Sequence, residues 1–84
     1  MITLCYVYIL QCKDNTLYTG WTINLDKRIH LHNLGKASKY TRARLPVQLV
    51  YFEEFSNKID AQKREYAIKQ LSRHQKIKLI ENHS

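Results

Sequence analysis

Two apolar runs open the chain, and their patterning differs from everything that follows. Residues 4–10 (LCYVYIL) are apolar without a break and rich in β-branched and aromatic side chains, as expected of a strand buried on both faces. In a small sheet such a strand is central. Residues 17–21 (LYTGW) read as its hairpin partner, with Asp14 and Asn15 supplying the turn chemistry between them. Two registers are open. A two-residue loop at Asp14-Asn15 sets Tyr8 opposite Trp21 and sends Tyr18 to the far face. A three-residue loop, or one bulge, brings both tyrosines to the same face.

The period then changes to that of a helix. Asn24 is a suitable N-cap and Gly35 a suitable stop after Leu34, with Leu25 and Ile29 as the inward stripe. Arg28 and His32 lie one turn apart and flank that stripe, whereas Asp26, Lys27 and His30 look solvated. Residues 35–46 (GKASKYTRARLP) read as a loop, and residues 47–55 (VQLVYFEEF) as a third strand ending in solvated charge at Glu53 and Glu54. Asn57 caps a second long helix whose inward stripe is Ala61, Ile68 and Leu71. Glu65 falls in the middle of that stripe, where a carboxylate has to be paired, hydrogen-bonded or bound to a metal. Lys69, one turn on, is its plainest partner. Ser72 to Gln75 matches a capping box and starts a last helix with Ile77 and Ile80 facing in, and residues 81–84 read as a frayed tail. The predicted order is ββαβαα.

Eighty-four residues at 44% apolar and 25% charged suit one folded domain with a modest core, here spanning residues 1–84. Charge adds to the picture: 14 Lys+Arg against 7 acids leave +7, which in so short a chain points to a polyanion such as nucleic acid. A basic surface serving solubility is the plainer reading. The loop at 35–46 concentrates this charge in Lys36, Lys39, Arg42 and Arg44 around Tyr40, with no acid among them, which suits a loop tracking phosphates. Cys5 and Cys12 lie at the two ends of one strand, roughly 20 Å or more apart, too far for a disulfide and without zinc-ligand spacing. Buried thiols, no signal peptide and no membrane-spanning run together predict a cytoplasmic protein.

Several chemistries are excluded. Gly20 and Gly35 alone cannot make a glycine-rich phosphate loop, no spacing places a Ser/His/Asp triad, and neither cysteine has an evident base. The candidates that survive are Tyr8, Tyr18, Arg28, His32 and Glu65. They suit phosphodiester hydrolysis. A lone carboxylate holds one hard divalent cation, Mg²⁺ with several retained waters, or Mn²⁺ in its place. Arg28 neutralises phosphate charge as the transition state forms. A tyrosine needs nearby positive charge to act as a base, and Tyr8 taken alone reads as a core residue.

The order Tyr6-Val7-Tyr8, Tyr18-Thr19-Gly20, Arg28, His32 and Glu65 resembles the GIY-YIG nuclease superfamily, in particular its small stand-alone bacterial members. Asn33-x-Gly35-Lys36, Tyr40-Thr41, Pro46-Val47-x-Leu49 and Glu65-x-x-x-Lys69 extend the resemblance over nearly the whole chain. Tyr6 stands at the first glycine of the family name and Thr19 at its isoleucine, while Trp21 replaces a lysine found in some members. The resemblance implies a compact α/β fold, with a three-stranded antiparallel sheet, its first strand central, flanked by three helices. It also implies one divalent metal on Glu65 and cleavage of DNA. By similarity, Tyr8 activates water, Tyr18 and His32 assist or orient, and Arg28 stabilises phosphate. No residues remain for a separate recognition domain, so substrate choice would rest on DNA structure or on a partner protein. The expectation is a metal-dependent DNA endonuclease of low specificity or directed by DNA structure, in repair or processing. A non-catalytic nucleic-acid-binding module is the alternative, and a protein-interaction adaptor a third.

Overall fold

In the computed structural model, which describes residues 3–83, the chain forms β1 (Cys5–Gln11), β2 (Leu17–Thr22), α1 (Leu25–Asn33), α2 (Lys39–Arg42), β3 (Gln48–Phe55), α3 (Lys58–Lys69) and α4 (Arg73–His83). The three strands make one antiparallel sheet in the order β2-β1-β3, so the unbroken apolar run is central as its pattern predicts. Alternation along β1 then divides the core in two. Cys5, Val7 and Ile9 face α3 and α4, where Ala61 and Ile68 are fully buried. Tyr8, Leu10 and, just past the strand, Cys12 belong to the second cluster, with Leu25, Ile29, Leu45, Val47 and Leu49. The two thiols are thus buried in separate clusters.

The hairpin turn decides the register left open by the sequence. Cys12 N–H donates to Thr16 O and Asn15 N–H to Cys12 O, both at 2.9 Å, which leaves residues 13–15 as a three-residue loop. Asn15 takes the left-handed conformation (φ 68°) that closes such loops. Asp14 Oδ1 accepts from Thr16 N–H at 3.1 Å and from its hydroxyl at 2.6 Å, fixing the turn locally. Tyr8 therefore pairs with Gly20 and Leu10 with Tyr18. Residues 8, 10, 18 and 20 share one face of the sheet. On the other side of β1 a bulge between Ile9 and Leu10 lets β3 shift register without losing the pairing.

Asparagine and serine start each helix. Asn24, Ser38 and Asn57 accept from backbone N–H groups of α1, α2 and α3, and Ser72 and Gln75 exchange the two bonds of a capping box at α4. Three of these caps match the sequence reading; Ser38 corrects it. The segment 35–46 is not loop throughout, because Ser38 Oγ accepts from both Tyr40 and Thr41 N–H and closes the one-turn helix α2. The sheet is therefore flanked by four helices, not three. Helix α4 also continues through residues 81–83, read from the sequence as tail; Ser84 lies outside the described residues. Glu53 departs from the sequence reading as well. It accepts two bonds from Arg64 Nε and one from its NH2, and a further one from the Tyr51 hydroxyl, so it is an anchor between β3 and α3.

Asn33 joins the last turn of α1 to the entry of β3: its amide donates to Val47 O at 3.1 Å and its carbonyl accepts from Val47 N–H at 2.8 Å. Replacing it with alanine leaves two backbone groups of a buried residue unpaired. Asn33→Ala is expected to lower stability by about 1–3 kcal/mol, read as a fall in the denaturant midpoint at unchanged slope. An unmoved midpoint would show that water satisfies Val47 equally well.

Candidate functional site

The face shared by Tyr8 and Tyr18 receives α1, and the site begins there. Tyr8 is 1% exposed and its hydroxyl lies 2.8 Å from His32 Nε2, while His32, equally buried, sits 2.8 Å from Thr41 Oγ1 through Nδ1. The Tyr18 ring approaches the same imidazole edge-on, with centroids 5.2 Å apart. Gly20 makes this arrangement possible. A Cβ at position 20 would stand 2.5 Å from the Tyr8 hydroxyl oxygen, so the phenol passes over the edge strand only because residue 20 has no side chain. The glycine of the YTG run is thus a packing requirement of the tyrosine opposite it.

Electrostatics define the resting state. Burial pushes the Tyr8 phenol well above its ordinary range, Tyr18 adds to the rise, and the charge and hydrogen bond of Arg28 oppose it. His32 is held below the ordinary imidazole range, first by burial and then by the Arg28 charge. At neutral pH the pair is therefore a neutral phenol beside a neutral imidazole. Arg28 acts on both and also lines an open groove of about 320 Å³ with Thr22, Ile23, Asn24, Lys27 and Leu31. It spans the distance between the buried pair and solvent.

Tyr8, Tyr18, Arg28 and His32 thus meet on one face. Glu65 comes from the other, on α3, which packs against β1 and β2. Its charge still adds to the rise of the Tyr8 phenol, as the smallest of the causes acting on it. Glu65 is half-buried and its carboxylate pairs with Lys69 at 3.7 Å, the partner its spacing suggested. Among the described residues there is no group of three or more His, Cys, Asp or Glu able to enclose a metal. What Glu65 offers is one hard anionic oxygen donor, which fits Mg²⁺ or Mn²⁺ held by one protein ligand, waters and substrate, and does not fit zinc.

The basic loop divides into two parts. Lys36, Lys39 and Arg42 are exposed and enter no ion pair with a described residue. Arg44 is engaged three times over: Nε donates to Asp14 at 3.0 Å, NH1 donates to Tyr40 O at 2.9 Å, and the guanidinium lies 3.9 Å above the Tyr40 ring. Tyr40 in turn stacks with Tyr18, with centroids 5.9 Å apart. Arg44 and Tyr40 thereby brace α2 between the hairpin turn and Tyr18. Thr41 is the site neighbour that sequence reasoning passed over. Its signal was present in Ser38-x-x-Thr41, which places a hydroxyl one turn after a helix cap, on the inward side.

Two outcomes follow from this geometry. Gly20→Ala forces the Tyr8 ring to move in a full core and is expected to cost about 1–3 kcal/mol, measured by chemical denaturation; wild-type stability would show that the phenol has room to spare. Because His32 titrates lower in the folded than in the unfolded chain, its contribution to stability is full above the unfolded value of about 6.5. It is lost as pH falls below that. Denaturation midpoints should decline below about pH 6.5 less steeply in His32→Gln than in wild type, and parallel declines would contradict the assignment.

The GIY-YIG catalytic domain model matches residues 4–78 of the chain. A UPF0213 protein of Clostridium perfringens is 65% identical over 79 residues, which cover 94% of this chain and 85% of that one. A UPF0213 protein of Staphylococcus haemolyticus is 60% identical, covering 90% and 93%. The solution structure of a UPF0213 protein from Bacillus halodurans superposes with a TM-score of 0.61 at 47% identity, over 93% of this chain and 83% of that one. That of an Enterococcus faecalis protein gives 0.65 at 34% identity, over 99% and 91%. A sheet with its first strand central, a family model matched over residues 4–78 and relatives 60% and 65% identical over most of both chains place this chain in the GIY-YIG catalytic domain family, a family of nucleases.

Proposed function

We propose that the protein is a divalent-metal-dependent DNA endonuclease that hydrolyses phosphodiester bonds, either with low specificity or directed by DNA structure, in repair or processing. The observation that carries the reading is the buried 2.8 Å contact between the Tyr8 hydroxyl and His32 Nε2, with Arg28 acting on both. In the reaction, Arg28 faces the phosphate from its groove and gains interaction as negative charge builds on the non-bridging oxygens. The Tyr8 oxygen takes a proton from the attacking water while its own passes to His32 Nε2. The phenol is thus neutral before and after, and His32 ends as imidazolium. This hand-off avoids a phenolate, which burial of Tyr8 disfavours. Tyr18 packs against the imidazole and limits its tilt. A hard cation bound by Glu65 would supply charge neutralisation at the leaving oxygen. Lys36, Lys39 and Arg42 give the DNA backbone an electrostatic track, with Tyr40 and Arg44 as its brace.

A non-catalytic nucleic-acid-binding module is the second reading, favoured by the 1% exposure of Tyr8, which keeps the phenol from bulk water in the free protein. Incubation of plasmid, single-stranded, flap and junction DNA with Mg²⁺ or Mn²⁺ separates the two. Nicking that Glu65→Ala abolishes and Arg28→Ala reduces by about 10²–10³-fold, with both variants folded, is the expected result. Salt-sensitive binding without cleavage of any substrate would favour the binding module. Removing Lys36, Lys39 or Arg42 singly should flatten the salt dependence of binding by about one unit of slope each. An unchanged slope would remove that residue from the track.

A further inference from the structure

His32 has two nitrogens and two partners, and the hydrogens in this chain can be assigned from its ends. At one end, the Tyr8 phenol is buried and keeps its proton, since burial pushes its ionisation well above the ordinary range. The Tyr8 hydroxyl proton therefore needs an acceptor, and His32 Nε2 at 2.8 Å is the one in reach. At the other end, the Thr41 hydroxyl lies 3.4 Å from Ser38 O, the back-bond to position i−3 that a threonine makes within a helical turn. With its proton directed there, Thr41 Oγ1 is left to accept from His32 Nδ1 at 2.8 Å. Both ends give the same direction: Tyr8 O–H to Nε2, Nδ1–H to Thr41, Thr41 O–H to Ser38 O. Thr41 and His32 are buried, at 0% and 1% exposure, so no bulk water competes for these positions.

We propose that Thr41 is a positioning residue that fixes the tautomer of His32, keeping Nε2 unprotonated and aimed at Tyr8. The inference rests on the reading of Tyr8 and His32 as the reacting pair and adds to it the one-turn helix α2. The chain ends on a carbonyl, which cannot take a proton, so Thr41 does not relay protons to solvent. It holds the imidazole by a bond that the neutral Nδ1–H form and the imidazolium make equally well, and a proton arriving from Tyr8 stops at His32. The role explains why Ser38 caps so short a helix. Ser38 Oγ organises the turn through Tyr40 and Thr41 N–H, and Ser38 O receives the hydroxyl that orients Thr41. Without this lock a buried neutral histidine partitions between two tautomers, and the Nε2–H form cannot accept from Tyr8.

The experiment is long-range ¹H–¹⁵N correlation of the His32 ring in wild type, Thr41→Val and Thr41→Ser, near neutral pH and without DNA, with backbone amide spectra as the control for folding. Wild type and Thr41→Ser are expected to show protonated Nδ1 and unprotonated Nε2. Thr41→Val, close in shape and lacking the acceptor, should show both nitrogens shifting towards a mixture. On a cleavable DNA, Thr41→Val should lose about 10²-fold in kcat, the lower range of what a positioned acid–base group contributes, with KM unchanged and Thr41→Ser restoring the rate. An Nε2–H wild type, or a tautomer unmoved in Thr41→Val, overturns the proposal. The ring spectra need no substrate, so a confirmed lock with no cleavage would count against the nuclease reading alone.

Discussion

The contact on which the rest depends is the passage of the Tyr8 phenol over Gly20 to His32. It sets three constraints at once. Residue 20 must lack a side chain, since a Cβ there would lie 2.5 Å from the phenol oxygen. The hairpin must place residue 20 opposite residue 8, which the three-residue turn achieves. Helix α1 must deliver His32 to the same face, and it does so from the last turn of a helix capped at Asn24 and stopped at Gly35, where φ is +76°. A polar pair buried in this way costs free energy unless every donor and acceptor is satisfied. Here the Tyr8 hydroxyl meets His32 Nε2 and Thr41 meets His32 Nδ1, while the Arg28 charge acts on both rings.

That constraint also accounts for how much could be read from the chain. The central strand was legible because an unbroken apolar run of seven residues has few other uses, and the helix starts because Asn24, Asn57 and Ser72 carry their own capping chemistry. The shared face of Tyr8 and Tyr18 was not, because one residue more or less in the turn reverses it. The decisive feature was the left-handed Asn15, which asparagine tolerates without requiring. Helix α2 was hidden for a related reason. One turn has no periodicity to detect, and its only signal was Ser38 ahead of two N–H groups.

The candidate site shows the same division. Arg28 and His32 could be paired from spacing alone, and Glu65 stood out because a carboxylate interrupted an apolar stripe. Spacing could not say that Glu65 lies on a helix packed against the opposite face of the sheet from His32, since that depends on which face each helix covers. Nor could it separate Arg44 from Arg42. Both sit in one basic run, yet Asp14, thirty residues earlier, draws Arg44 out of the exposed set. Lys36, Lys39 and Arg42 are left as the outward-facing part of that run.

The state of Tyr8 is the most direct point of test. With the six tyrosines labelled with ¹³C at Cζ, an alkaline titration followed by NMR reads each phenol separately. Burial against His32 predicts that the Tyr8 signal, assigned by its loss in Tyr8→Phe, stays in the neutral position as the pH passes about 10, where a phenol free in water ionises. A Tyr8 signal that moves to the ionised position at about pH 10, as a phenol free in water does, would contradict the account, because it would mean that the phenol is neither buried nor committed to the imidazole.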